Sequence, residues 1–165
     1  LIVHRRSKEH YPVEFQPLTS RDVQRMVKDG GPNSWEPAFD WSLYFRYNRT
    51  EVYKMVIKGN DYIQGCIAFE IKEDHVYVHL IESAPHNFKG KEFEMIGEHM
   101  LAFACKRSEQ LGFEGAVALQ SKTGPRFVPL MRYYMGPKIR AEHLGNGYMI
   151  IDGPSADRLI MLYSN

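Results

Sequence analysis

The chain has 165 residues, a formal net charge of +1, and 44% apolar against 25% charged residues. That is the size of one domain, residues 1–165, with enough buried surface for a core without disulfide staples. The composition excludes a disordered chain, and the near-balanced charge ranks nucleic acid and acidic membrane surfaces low as partners.

Cys66 and Cys105 each sit in an apolar stretch and read as small buried core residues rather than a disulfide or metal site. That fits a reducing cytoplasm. No run approaches the ~18 apolar residues of a membrane helix. No signal peptide is visible after Leu1.

In chain order, Val13 and Phe15 alternate with Glu14 and Gln16, a short strand. Thr19-Ser20 then offers a helix N-cap before Val23, Met26 and Val27, and Gly30-Gly31-Pro32-Asn33 stops that helix. Residues 35–47 carry six aromatic rings: Trp35, Phe39, Trp41, Tyr44, Phe45 and Tyr47. They read as core, in a helix or an irregular loop, with a substrate-pocket wall as the alternative. Next come three alternating runs. They are Tyr53-Met55-Ile57, Ile63 to Ile71, and Val76-Val78-Leu80, separated by the turns Gly59-Asn60-Asp61 and Lys72-Glu73-Asp74. They predict an antiparallel meander.

Ala84-Pro85-His86-Asn87 breaks the third strand. From Met95 to Leu111 the period becomes helical, with Ile96, Met100, Phe103 and Ala104 on one stripe and Gly112 as the cap. Ala116 to Leu119 is a continuous apolar run, a strand buried on both faces. Pro125–Tyr134 reads as a helix and Tyr148–Ile151 as a strand. Ser155 reads as the cap of a last helix. The fold class is mixed α/β, α+β-like: a central, mostly antiparallel sheet with one parallel strand pair, flanked by helices. The helix between the strand ending near Ser83 and the strand at 116 makes a βαβ unit, so those two strands run parallel.

No phosphate-loop or dinucleotide fingerprint, paired Cys-x-x-Cys or His-Glu-x-x-His is present. His75 and His79 are four apart, which on a strand separates them by ~13 Å and excludes one shared metal ion. The start of the long helix is the informative place. Free backbone N–H groups and the helix dipole there favour an anion. Gly90 and Gly97 lie beside Lys89 and Lys91. They either admit a phosphate to the backbone or make a turn and a close helix contact.

From Glu51 onward, the meander, the Leu80-Ile81-Glu82-Ser83-Ala84-Pro85-His86-Asn87 strand end and the helix from Ile96 resemble the GNAT acyltransferase superfamily. The strand Gly115–Gln120 and Tyr133-Tyr134-Met135-Gly136 add to the resemblance. The first fifty residues fit by element order. The resemblance implies acetyl-CoA as cosubstrate, its pantetheine arm in a notch between the parallel strands and its pyrophosphate on the helix N-terminus. By that resemblance Ile81, Ser83, Lys89, Gly90, Lys91, Met95, Ile96 and Gly97 bind the cofactor. The family signature Gln/Arg-x-x-Gly-x-Gly/Ala falls on Glu92-Phe93-Glu94-Met95-Ile96-Gly97. Glu92 replaces the basic or amide residue and Met95 the first glycine. Lys89 and Lys91 can compensate for the added carboxylates.

The implied reaction is transfer of an acetyl group to a primary amine of a small molecule or peptide, by direct attack on the thioester. The resemblance makes Tyr134, with Tyr133 as fallback, the proton donor to the departing thiolate, and Glu82 the base. Asp40 and Glu36 would attract a cationic amine. No metal is expected, and the chain is expected to be a monomer or homodimer. The departures at Glu92 and Met95 motivate two alternatives, a non-catalytic acyl-CoA sensor and an interaction domain that binds no cofactor.

Overall fold

The structure, a computed structural model, describes residues 1–28, 34–121 and 127–164. Its elements run in the order β1 (Ile2–His4), β2 (His10–Tyr11), β3 (Val13–Pro17), α1 (Ser20–Lys28), a 3-10 helix (Trp41–Arg46), β4 (Thr50–Ile57), β5 (Ile63–Ile71) and β6 (Val76–Ser83). There follow α2 (Pro85–Phe88), β7 (Phe93–Glu94), α3 (Ile96–Gln110), β8 (Val117–Gln120), α4 (Phe127–Met135), β9 (Glu142–Gly145), β10 (Tyr148–Ile151) and α5 (Gly153–Tyr163). A seven-stranded sheet has the order β3-β4-β5-β6-β8-β10-β9, and a small sheet the order β2-β1-β7. The expected meander is β4-β5-β6. The expected parallel pair is β6 with β8, Val76 opposite Val117 and Val78 opposite Leu119.

The chain forms two compact units, Leu1–Ala68 with Leu80–Met100, and Phe69–His79 with Leu101–Asn165. In the first, Leu18, Val23, Met26, Trp35, Trp41 and Val52 form a core with Cys66, Ala68, Leu80 and Ala84, against which Phe39 and Tyr44 pack. Four of the six rings in the aromatic stretch are thus core, as the sequence suggested, while Phe45 and Tyr47 are exposed. In the second, Phe69, Leu101, Ile139, Met149, Ile151 and Leu159 are fully buried. Both cysteines are buried and free. His75 bonds Asp74 at 2.7 Å and His79 bonds Glu70 at 2.8 Å, each a local partly exposed pair.

One boundary moved. The last helix begins at Gly153 after Asp152, and Ser155 Oγ donates to the Arg140 carbonyl oxygen at 2.9 Å instead of capping. Strands β1, β2, β7 and β9 were too short for an alternating pattern to reveal. The stop read at Gly30-Gly31-Pro32-Asn33 lies outside the described residues, as does Pro125, the expected start of α4. Among the described residues no helix is long and apolar enough to cross a membrane.

The start of α1 shows how the first unit is tied. Asp22 N–H donates to Thr19 Oγ1 at 3.1 Å and Thr19 N–H donates to Asp22 Oδ2 at 2.9 Å, a reciprocal capping box. Lys54 on β4 donates to the same carboxylate at 2.9 Å, with side-chain exposures of only 15% and 8%. Burial raises the Asp22 pKa, but the Thr19 and Lys54 hydrogen bonds outweigh it and hold the carboxyl below its ordinary value. Lys54→Met leaves a buried carboxylate without its cation. It is expected to lower stability by about 3 kcal/mol in urea unfolding.

Candidate functional site

The sequence places its cofactor candidates between the end of β6 and the first turn of α3, all within the first unit. A polar clamp orders this stretch. Its anchor is Gln64 on β5, 3% exposed. The Gln64 carbonyl oxygen accepts from the Ala84 N–H and from Asn87 Nδ2, both at 3.0 Å. Asn87, 5% exposed, accepts at Oδ1 from the Phe93 N–H at 3.0 Å. Because that backbone group only donates, the amide orientation of Asn87 is fixed, with Nδ2 toward Gln64. Gln64 Oε1 then accepts from Asn87 Nδ2 at 3.0 Å and lies 2.9 Å from His86 Nε2. His86 therefore carries its proton on Nε2 and leaves Nδ1 as the lone-pair nitrogen. Burial lowers the His86 pKa, so the ring is neutral near pH 7.

Gly90 is required sterically. A Cβ there would stand 2.5 Å from the His86 carbonyl oxygen. The turn reading of this glycine is thus supported by contact. Lys89 and Lys91 are exposed on the same loop, and Lys91 Nζ lies 5.9 Å over the Phe88 ring. From Glu92 the chain pairs with the N-terminal strand: Arg5 N–H donates to the Glu92 carbonyl oxygen at 2.9 Å, and Val3 sits opposite Glu94. Arg5 Nε is also 4.0 Å from Glu94. The N-terminus therefore brings a cation beside Glu94, two residues after the signature's first position at Glu92.

Met95, at the position of the first signature glycine, has φ +73°. This left-handed conformation costs a side-chain-bearing residue about 1–2 kcal/mol. The loop keeps a glycine-like path without the glycine. His99, 1% exposed, helps hold it there: its Nδ1 donates to the Met95 carbonyl oxygen at 2.7 Å. Gly65 on β5 lets the first turn of α3 approach, since a Cβ would meet Met100 Sδ at 2.9 Å and Ile96 Cγ2 at 3.0 Å. The N–H groups of Ile96 and Gly97 open the helix with no carbonyl one turn back inside it.

Ile81, Glu82 and Ser83 end β6, each half-buried. Glu82 binds the aromatic segment: Oε2 accepts from the Glu36 N–H at 2.7 Å, and Oε1 lies 3.4 Å from the Trp41 indole N–H. Asp40 and Glu36 are exposed, and Glu36 Oε1 accepts from the Ala38 N–H at 3.3 Å.

Tyr134 belongs to the second unit, on α4, and is 7% exposed. Burial pushes its phenol up to about 12, so it is protonated throughout the neutral range. Tyr133 is half-buried and edge-on to it, with ring centroids 5.3 Å apart.

Residues that sequence reasoning missed are Gln64, His86 and Asn87, and the N-terminal Arg5. His86 and Asn87 read only as strand breakers. The pairing of residues 2–5 with 92–94 joins segments some ninety residues apart, and nothing local signals it.

No family model matches the chain, and no curated protein sequence matches it. Solved structures do. A Bacillus subtilis acetyltransferase crystallised with CoA is 14% identical with a TM-score of 0.57, over 87% of this chain and 99% of that one. The ribosomal-protein-S18-alanine N-acetyltransferase of Escherichia coli is 12% identical with a TM-score of 0.55, over 84% and 91%. A GNAT-family acetyltransferase from Staphylococcus aureus is 11% identical with a TM-score of 0.54, over 84% and 98%. The chain therefore has the fold of the GNAT acetyltransferases, as the element order and the β6–β8 parallel pair require.

His99 makes this region sensitive to pH. Burial pushes its imidazole down from 6.5 to about 4. The unfolded chain takes up that proton near pH 6.5, the folded chain only near 4. Stability is therefore full above pH 6.5 and is lost as the pH falls toward 4, by about 3 kcal/mol in all. Urea unfolding between pH 4 and 7 is expected to show this slope, and His99→Gln to flatten it.

Proposed function

We propose that the protein transfers an acetyl group from acetyl-CoA to a primary amine. The observation that carries the proposal is the start of α3. A left-handed residue leads into two N–H groups with no partner inside the helix, Ile96 and Gly97, on the fold in which this helix follows the first strand of the parallel pair. Such a helix start suits a pyrophosphate. The residues present fit that ligand: Met95 keeps the glycine path, Arg5 sits against Glu94, and Lys91 stands on the preceding loop. Acetyl-CoA supplies an activated thioester when bound. Ile81 and Ser83, with the loop from Lys89 to Lys91, complete the proposed binding stretch.

What this chain's side chains do is move protons. The amine must be neutral to attack, and the departing thiolate gains from a donor. Tyr134 is the proposed donor, supported by its protonated state at neutral pH, with Tyr133 second. For the proton leaving the amine, the proposal keeps Glu82 and adds His86. Glu82 already accepts two N–H groups from the segment it anchors, whereas His86 is neutral with a lone pair at Nδ1. The acceptor is a small molecule or peptide amine, and the proposed compartment is the cytoplasm, with a monomer or homodimer as the working unit.

A second reading has one observation in its favour. Glu92 and Met95 stand where the signature has a basic or amide residue and a glycine, which suits an acyl-CoA sensor without turnover. The two readings separate on a thiol-release assay with acetyl-CoA and a panel of primary amines. The enzyme reading expects amine-dependent CoA release. It expects Tyr134→Phe to lower kcat roughly 100-fold or more while acetyl-CoA still binds. His86→Gln is expected to erase the acidic limb of the pH–rate profile and Glu82→Gln to keep it. The reverse pattern returns the base to Glu82. An unchanged kcat in Tyr134→Phe removes it as donor.

A further inference from the structure

A cavity of about 1510 Å³ in the first unit opens beside the loop before α3 and against α1. Its lining includes six cationic side chains: Arg5, Arg6, Lys8, Arg25, Lys28 and Lys91. Among the described residues three carboxylates line it, Asp22, Asp61 and Glu92, and Asp22 is already held by Lys54 at 2.9 Å. Of the six cations, Arg5 leans toward Glu94 at 4.0 Å, and Lys91 covers the Phe88 ring. No described residue forms an ion pair with Arg6, Lys8, Arg25 or Lys28. The lining also has an apolar part, with Met26, Trp35 and Ile63. A chain with net charge +1 has thus gathered an excess of positive charge around one concave, partly apolar site. Such a site concentrates anions.

Met95, Ile96 and Gly97 do not line this cavity, whereas Ala84, Pro85 and His86 do. Gly90, Lys91 and Arg5 border both places, but Arg6, Lys8, Arg25 and Lys28 lie on the cavity and on no residue proposed to carry the cofactor pyrophosphate. His86, whose Nδ1 is the lone-pair nitrogen, borders the cavity instead. We infer that the cavity is the acceptor site, and that it selects amines carrying a carboxylate or phosphate group. The acid group lies among Arg6, Lys8, Arg25 and Lys28, and the apolar body of the acceptor packs on Trp35 and Met26. This charge points the opposite way from the cationic acceptor expected from Asp40 and Glu36. The inference rests on the acetyltransferase reading for its chemistry, but the anion site itself does not.

The test uses the full chain and a matched pair of probes, O-phosphoethanolamine and ethanolamine, with acetyl-CoA as donor. The phosphorylated amine is expected to have a kcat/KM at least ~10-fold above that of ethanolamine at low salt. Arg25→Gln combined with Lys28→Gln, or Arg6→Gln on the other wall, is expected to remove that advantage and to leave the KM for acetyl-CoA within about 2-fold. Melting temperatures check that each variant is folded. Equal use of the two amines overturns the inference. So does a variant whose KM for acetyl-CoA rises as much as that for the phosphorylated amine, since the cations then serve the cofactor's phosphates. If neither amine is acetylated, calorimetric titration with inorganic pyrophosphate decides the site separately. Binding weakened ~10-fold by the double substitution supports the anion site even though the reaction reading fails. Absent binding, or binding equal in both proteins, overturns it.

Discussion

The candidate site depends on one buried amide pair. Gln64 and Asn87, 3% and 5% exposed, tie the middle of the sheet to the loop that precedes α3. Asn87 Oδ1 and Nδ2 each meet a backbone group of fixed character, and that leaves Gln64 Oε1 as the acceptor from Asn87 Nδ2. The network therefore has a single satisfied arrangement. Remove it and the Phe93 N–H, which donates to Asn87 Oδ1, needs another partner, so the loop must find another path. The same clamp sets the protonation of His86, because Gln64 Oε1 can only accept. A structural fastening thereby decides which nitrogen of a potential base is free.

The start of α3 is held from two further directions. The N-terminal strand pairs with Phe93 and Glu94, and His99 Nδ1 grips the Met95 carbonyl oxygen. Together they maintain a left-handed methionine where a glycine would sit without strain. The loop departs from the signature at Glu92 and Met95, yet Met95 takes the left-handed conformation open to a glycine, and Arg5 brings a positive charge beside Glu94. Strain and compensation of this kind are better explained by a loop that must present its amides than by a connection of arbitrary shape.

Much of the fold was legible in the sequence, because it was written in period and punctuation. The meander alternates with period two, and α3 carries an apolar stripe that Gly112 ends. The Val117–Leu119 run is apolar on both faces because it is buried between neighbours. What stayed hidden was contact between distant segments. Strands of two to four residues have no period to read, so β1, β2, β7 and β9 appear only when their partners are in place. Asn87 looks like any loop asparagine until Gln64 is beside it. The candidate site was legible only in its local letters. Gly90 and Gly97 could be singled out locally and Met95 through the family resemblance, while the cationic cavity could not, since Arg5, Arg25 and Lys91 meet only through the fold. A charge total near zero masked that local excess.

The most direct test of the account is a thermal-shift titration with acetyl-CoA, with ATP as the control for phosphate alone. Ligand at ~100 times its dissociation constant adds ~2.7 kcal/mol to stability. For a domain of this size that raises the melting temperature by roughly 5–10 °C. The account predicts such a rise with acetyl-CoA and a much smaller one with ATP. No rise at millimolar acetyl-CoA would contradict it, because a helix start shaped and held as this one is would then not be serving that cofactor.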